Sequence, residues 1–454
     1  MNSREAIYRL LNMRGVAHTT LNPYGPGVVR IHLVPPKFRL KDTAPSVAVL
    51  NGRDIIPINL SWAILLYSFL EQVNRYEGRE VTPEDMKGLV RRTLATVKRV
   101  YPRTKDTQMK DDLWKIVNTL TAIASGKEPG EHIGYMTLSE YAPFMAAPHR
   151  MDLMISAMTQ NGQWHCNQQC LHCYAAGQAQ AEVQELPTHQ WKHIIDRCKK
   201  IGVPQLTFTG GEPTMRKDLP ELIAYAKWFV TRLNTNGAAL TEQLCEELYE
   251  ASLDSVQITL YSAEKAEHNS LTGANNFHQT VDGIRNALGA GLNVSVNTPL
   301  CKGNTNYVET LRFLDALGIK YVSCSGLIVT GNALQEASKC TQLSEDELYA
   351  ILTDAAQYCE DQHIEISFTS PGWVAHAKLA ALKLAIPSCG ACLSNMAISP
   401  DGGVVPCQSW LSEDVLGNIL RQSWSSIWNA PKCREIRDYA STHDHICPLR
   451  KEEA

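Results

Sequence analysis

The stretch Trp164-His165-Cys166-Asn167-Gln168-Gln169-Cys170-Leu171-His172-Cys173-Tyr174 carries three cysteines in a C-x3-C-x2-C spacing. Three thiolates on one short loop suit three corners of a cubane iron–sulfur cluster and leave the fourth iron without a protein ligand. An open metal position is where a reacting molecule binds. The chain has 14 cysteines in 454 residues, so this triplet is uncommon as a chance arrangement. Two plainer readings stay open on the triplet alone. One is three inert buried thiols; the other is a structural zinc site completed by His165 or His172.

Some thirty residues on comes Gln205-Leu206-Thr207-Phe208-Thr209-Gly210-Gly211-Glu212-Pro213, a short buried strand ended by glycines and a proline. Paired glycines at a strand end let a ligand approach the backbone closely. The triplet followed by Gly-Gly-Glu-Pro resembles the radical S-adenosylmethionine (radical SAM) superfamily, and both motifs occur in that family's order and separation. The resemblance implies that Cys166, Cys170 and Cys173 ligate a 4Fe–4S cluster. It implies that Glu212, with the Gly210-Gly211 backbone and Pro213, holds the methionine ammonium of S-adenosylmethionine. Tyr174 then neighbours the cluster loop and His172 packs against the adenine.

The middle of the chain alternates strand-like and helix-like runs. Strands are expected at 153–158, 205–209, 232–236, 255–260, 293–298 and 321–325, and helices at 188–201, 218–229, 241–251, 277–290 and 307–317. Six such repeats imply an α/β fold with a parallel sheet, curled by right-handed crossovers into a partial (β/α)6 TIM-like barrel. Reactive groups in such folds lie at the C-terminal ends of the strands. The cysteine loop follows the first strand and Gly-Gly-Glu the second, so both fall on one rim. By the resemblance, Asn236, Thr259, Asn297 and the Gly326-Leu327 segment line the same cofactor pocket, each with a turn or packing role as the plainer reading. Tyr261 faces that rim as a substrate contact or a core tyrosine. Cys198, Cys245, Cys301, Cys324, Cys340 and Cys359 lack ligand spacing and read as small buried hydrophobes.

Beyond Pro387 the pattern changes. Cys389-Gly390-Ala391-Cys392 precedes Ile398-Ser399-Pro400-Asp401-Gly402-Gly403-Val404-Val405-Pro406-Cys407, a hairpin signal. With Leu416-Gly417-Asn418, a helix holding Ile427 and Trp428, and Cys447, this resembles the auxiliary-cluster extension of SPASM/twitch radical SAM enzymes. Seven residues follow Cys447, which favours the shorter, one-cluster twitch form. Cys389, Cys392, Cys407 and Cys447 are the expected auxiliary ligands, with one of the Cys389/Cys392 pair free to be spare. Cys433, inside a helix, ranks last. A zinc knuckle on the same four residues is the alternative.

In the N-terminal part, 28–34 and 46–58 read as strands, the second folded about Asn51-Gly52, and helices are expected at 60–76, 82–101 and 110–125. Thr82 with Glu84 and Asp85 supplies a capped start. A hairpin followed by three helices resembles, in element order, the precursor-recognition domains of peptide-modifying enzymes, which add an extended peptide to a strand edge. The resulting division is 1–127, a winged-helix-like α+β domain; 128–150, a linker; 151–370, the barrel; and 371–454, the auxiliary domain.

A net charge of −4 and 44% hydrophobic residues describe an ordinary globular chain with no basic excess for nucleic acid. The first residues lack a signal-peptide pattern, and the longest apolar run, 63–70, is too short to span a bilayer. Many cysteines without an export signal imply a reducing cytoplasm. The resemblance implies an enzyme that takes one electron from a flavodoxin- or ferredoxin-type donor, cleaves S-adenosylmethionine to a 5′-deoxyadenosyl radical and abstracts hydrogen from its substrate. The preferred substrate is a short ribosomally made precursor peptide. The alternatives are a small molecule or cofactor precursor and, from another class, a zinc-stabilised binding protein.

Overall fold

The computed structural model describes residues 3–13, 15–21, 29–35, 46–51, 54–76, 81–124, 127–130, 138–412, 415–443 and 445–450. The chain divides into two compact units, one of Met1–Ala147 with Lys199–Pro204 and one of Pro148–Cys198 with Gln205–Ala454.

The first unit opens with a helix, Ser3–Leu11, and a four-stranded antiparallel sheet in chain order, Ala17–Leu21, Val29–Val34, Ser46–Leu50 and Asp54–Ile58. The last two form the expected hairpin, and Asn51 takes a left-handed φ of 48°; Gly52 lies outside the described residues. The first helix and first strand were not foreseen, because Ala-His-Thr-Thr-Leu has no clean alternation. Three helices follow, Leu60–Val73, Pro83–Lys98 and Asp106–Ala124. Asn59 caps the first by accepting the Trp62 N–H, and Thr82 and Asp85 form a reciprocal capping box at the second. Leu33, Leu50, Ile56, Ile64, Leu66, Leu89 and Leu113 form a common buried core.

The second unit is built on one ten-stranded sheet. Its order is Glu365–Phe368, Tyr321–Ser325, Asn293–Pro299, Ser255–Thr259, Val230–Thr235, Gln205–Gly210, Arg150–Ser156, Asn395–Ile398, Gly403–Val405 and Gly417–Asn418. The first eight are parallel and the last two antiparallel. All six expected strands are present, in the expected parallel arrangement. A seventh, Glu365–Phe368, extends the barrel after a long helix, Glu345–Gln362, that starts at a Ser344/Glu347 capping box. Four residues with only two apolar positions gave that strand no sequence signal.

The C-terminal hairpin is not a separate appendage. Its strand Asn395–Ile398 pairs in parallel with the first barrel strand, matching Asn395 with Arg150 and Ile398 with Leu153. The hairpin turn is held by Asp401 Oδ1, which accepts the Ser399 hydroxyl at 2.7 Å and the Gly403 N–H at 3.1 Å. Alternation decides the barrel wall. Leu233, Val256, Ile258, Val294 and Val296 are buried, whereas Asn234, Gln257, Thr259, Ser295 and Asn297 on the other face stay partly accessible. The inner surface is therefore polar, unlike the branched apolar filling of a closed barrel. Among the described residues no helix is long and apolar enough to cross a membrane.

Candidate active site

Cys166, Cys170 and Cys173 sit together on the loop after the first barrel strand, close enough that the Cys170 thiol is destabilised as an anion by both others. Burial pushes Cys166 up to about 12, and raises Cys170 and Cys173 as well. Main-chain N–H groups oppose that: those of Gln168 and Asn167 donate to Cys166, and those of Ala175 and Ala176 to Cys173. Half-buried thiols near N–H donors are poor thiolates alone and good ones once a cation arrives.

The loop is clamped from outside. The Gln169 and Leu171 N–H groups donate to Thr272 O at 3.0 Å and Leu271 O at 2.9 Å. Across the loop, the Asn332 N–H donates to Cys173 O at 2.9 Å and its Nδ2 to Cys170 O at 3.1 Å. Ser338 Oγ donates to Leu171 O at 2.9 Å. Gly331, with φ +57°, lets that strap approach; a Cβ there would lie 2.4 Å from Cys173 O. Asn332 and Ser338 were missed because they stand some 160 positions away in sequence and carry no local motif.

His172 is buried, and burial lowers its imidazole to about 4. Thr341 Oγ1 donates to Ser338 O at 2.6 Å, so it accepts from His172 Nε2 at 2.7 Å. This leaves Nδ1 as an acceptor, buried and without a partner. Tyr174 is raised well above its ordinary range, first by burial and then by Cys173 and Asp152. Tyr261 and Leu327 belong to a small apolar cluster with Leu271 and Cys301 that packs behind Cys170 and Leu171. Tyr261 is thus a core tyrosine. Trp373 covers Gly326, where a Cβ would meet its Cδ1 at 2.2 Å.

Gly210 takes φ +143°, and a Cβ there would lie 2.2 Å from Ser156 O. Only glycine permits that approach. The Gly211 N–H in turn donates to Ser156 O at 2.8 Å. Pro213 opens a short 3-10 turn whose N-cap is Glu212. The Glu212 carboxylate is buried; Oε1 accepts from Thr214 N–H (3.0 Å), Thr214 Oγ1 (2.5 Å) and Thr235 Oγ1 (2.6 Å), and Oε2 from Asn236 N–H (2.8 Å). Burial still raises its pKa against those donors. Asn236 Nδ2 reaches the cysteine loop, donating to Asn167 Oδ1 at 2.6 Å. Behind Glu212, Arg216 bridges Asp218 (2.7 Å) and Glu185 (3.1 Å). Thr259 and Asn297 are register partners on the polar barrel face, and Asn297 Oδ1 accepts from Ser323 Oγ at 2.9 Å.

The C-terminal cysteines also converge. Cys407 is pushed up to about 12 by burial, with the Cys447 and Cys389 thiols adding to the rise and the Ser409 and Trp410 N–H groups opposing it. Cys392, at a left-handed φ of 56°, donates its S–H to Cys433. That bond lowers Cys433 and raises Cys392, and Arg437 Nη1 stands 3.6 Å from Cys433 Sγ. Cys433, ranked last from sequence, lies on the helix Pro431–Thr442 and faces this site because the helix packs its buried side there.

A single zinc ion needs its donors about 2.3 Å from one point. Among the described residues no three His, Cys, Asp or Glu side chains converge in that way. A cubane takes each thiolate on a different iron, so spaced, partly buried sulfurs suit it better.

Fold and site define a partial-barrel enzyme with one cysteine centre at the strand ends and another at the hairpin. The family model of the radical SAM superfamily matches residues 164–332, and that of the SPASM iron-sulfur cluster-binding domain matches residues 389–449. The chain is a radical SAM superfamily enzyme with a SPASM domain. Its cofactors are accordingly a 4Fe–4S cluster and S-adenosylmethionine, with auxiliary iron–sulfur in the SPASM domain. That disposes of the zinc-stabilised binding protein.

Among curated proteins, an AdoMet-dependent heme synthase of Methanosarcina barkeri (strain Fusaro / DSM 804) is 28% identical over 292 residues, 60% of this chain and 82% of that one. An Fe-coproporphyrin III synthase of the same organism is 26% identical over 285 residues, 58% of this chain and 71% of that one. Streptococcus suis SuiB bound to S-adenosylmethionine shares the fold with a TM-score of 0.59 at 17% identity, over 88% of this chain and 89% of that one. The anSMEcpe structure with bound AdoMet follows at 0.52 and 15%, over 64% and 83%.

Proposed function

We propose that this enzyme modifies a ribosomally made precursor peptide. The supporting observation is the extent of the SuiB likeness, 88% of the chain. The barrel unit is only about two-thirds of the chain, so the likeness takes in much of the N-terminal unit. SuiB has been solved bound to its precursor peptide SuiA. In this reading Cys166, Cys170 and Cys173 hold the radical SAM cluster, and Cys389, Cys407 and Cys447, with Cys392 or Cys433, hold one auxiliary cluster. Cluster and S-adenosylmethionine together supply, from an external flavodoxin- or ferredoxin-type electron, a deoxyadenosyl radical that abstracts hydrogen.

The chain's own residues do the positioning. Asn332 and Ser338 keep the cysteine loop in shape. Glu212 keeps one acceptor direction on Oε2 for an ammonium beyond the four donors it already has. The tight Gly210-Gly211 backbone, with Asn236, Thr259, Asn297 and Leu327 around it, shapes the cofactor pocket. Partly buried Tyr174 and buried His172 exclude water beside the cluster.

A second reading has its own support. The two Methanosarcina barkeri relatives are more similar in sequence, and their names concern heme and Fe-coproporphyrin III. The match to those relatives takes in 58–60% of this chain. Anaerobic incubation with reductant, S-adenosylmethionine and either a candidate precursor peptide or an iron porphyrin, followed by mass spectrometry, separates the two. A mass change in the peptide supports the proposal. Turnover of the porphyrin with the peptide unaltered overturns it.

A further inference from the structure

Three neighbouring barrel strands carry an uneven row of charge. The register sets Asp152, Thr207 and Arg232 side by side, and residues in register share a face of a sheet. Leu206, Phe208 and Leu233, one position off, are fully buried on the opposite face, so this row points into the lumen. Arg150 is committed to Asp152, with Nε 2.9 Å from Oδ1 and Nη2 donating to Oδ2 at 3.3 Å. The Arg232 guanidinium makes no hydrogen bond or ion pair among the described residues. Burial and the Arg150 charge work against its cationic form, and Asp152 favours it. Two guanidiniums against one carboxylate leave the row with one positive charge in excess.

Two neutral donors flank that cation. Thr207 Oγ1 is buried and has no hydrogen-bond partner. Half-buried Asn234, two residues along the same strand and on the same face, makes no side-chain hydrogen bond among the described residues. Its register partner Gln257, by contrast, donates to Ser323 Oγ at 3.2 Å. A guanidinium fork, a hydroxyl and an amide NH2 together form a donor set for a carboxylate. We propose that Arg232, with Thr207 and Asn234, is a subsite that grips a carboxylate of the substrate. Its source, an Asp or Glu side chain of the precursor, rests on the peptide reading above. Arg232 stands four residues before Asn236, about 13 Å down the strand from the rim. A carboxylate anchored there leaves the rest of the substrate extending towards the cofactor, so the subsite selects which carbon meets the rim.

The test is calorimetric titration of full-length, anaerobically reconstituted enzyme loaded with S-adenosylmethionine. Glutarate is the carboxylate probe and glutaramide its neutral counterpart; glutarate is expected to bind and glutaramide not. Arg232→Gln is expected to weaken glutarate roughly tenfold or more, and Arg232→Lys to restore part of the loss, with S-adenosylmethionine affinity as in wild type. Thr207→Val should also weaken glutarate yet melt no lower than wild type, because it removes a hydroxyl without a partner in the fold; a merely structural residue would lower the melt instead. Wild-type enzyme that ignores glutarate, or glutarate affinity unchanged in Arg232→Gln, overturns the subsite. Turnover then identifies the source. A precursor peptide supports it if its KM rises in Arg232→Gln and on replacing one of its Asp or Glu residues by the amide, with no further rise when the two are combined. An iron porphyrin whose KM rises in Arg232→Gln, with the peptide unaltered, keeps the subsite and overturns the peptide reading.

Discussion

The Glu212 carboxylate accepts the main-chain N–H of Asn236 at 2.8 Å, joining the ends of the second and third barrel strands beneath the cysteine loop. The same Asn236 donates from its side chain to Asn167 on that loop. One buried anion thus holds the floor of the candidate cofactor pocket. Glu212→Gln would turn one carboxylate oxygen into a donor facing donors, at a cost of about 1–3 kcal/mol. Loss of the charge should weaken S-adenosylmethionine binding roughly tenfold or more. Calorimetric titration and thermal melting check both; unchanged affinity would remove Glu212 from the cofactor site.

Gly210→Ala tests the strand-end geometry. Its Cβ would be driven to within 2.2 Å of Ser156 O at a φ that side chains rarely adopt. A destabilisation of at least about 1–3 kcal/mol is expected, with loss of cofactor binding. Denaturant unfolding measures it, and a melt equal to wild type would contradict the close approach.

Cys170→Ala should abolish deoxyadenosine formation and remove roughly four irons per chain, since one cubane goes with it. Iron and sulfide assays with chromatography of the nucleoside products give the readout. Persisting deoxyadenosine at the wild-type rate would refute the assignment of this loop.

The two cysteine groups at the hairpin make separate forecasts. Cys407→Ala should leave uncoupled cleavage of S-adenosylmethionine while product disappears. Cys433→Ala, which removes the thiol beside Cys392, should lower auxiliary iron if Cys433 is a ligand and leave it intact if Cys389 and Cys392 suffice. Iron counts on the two variants, side by side, decide between those ligand sets.

Acid should destabilise the iron-free protein through buried histidines. Burial lowers His149 and His268 to about 4 and His18 to about 2, against an ordinary 6.5. Between pH 6.5 and about 4 the unfolded chain binds protons that the folded chain refuses, so stability falls as pH falls through that window. Above pH 6.5 these groups add no slope. Urea midpoints from pH 7.5 to 5 provide the measurement; a midpoint that holds steady or climbs on acidification counts against the buried neutral state.

What the sequence determined by itself is local in origin. The cysteine spacing, Gly210-Gly211, the six parallel strands and the Pro400-to-Gly403 hairpin were legible because each depends on neighbours within a few residues: a turn, an alternation, a ligand spacing. Tertiary structure alone decided the rest. It set Asn332 and Ser338 against a loop some 160 positions earlier. It joined strand Asn395–Ile398 to Arg150–Ser156 and brought Cys433 onto Cys392. It placed Tyr261 in a small core and Gln178 between two distant carbonyls. Such contacts come from packing a polar-lined sheet against its helices and return loops, and no short window of sequence carries the positions that a closed fold brings together.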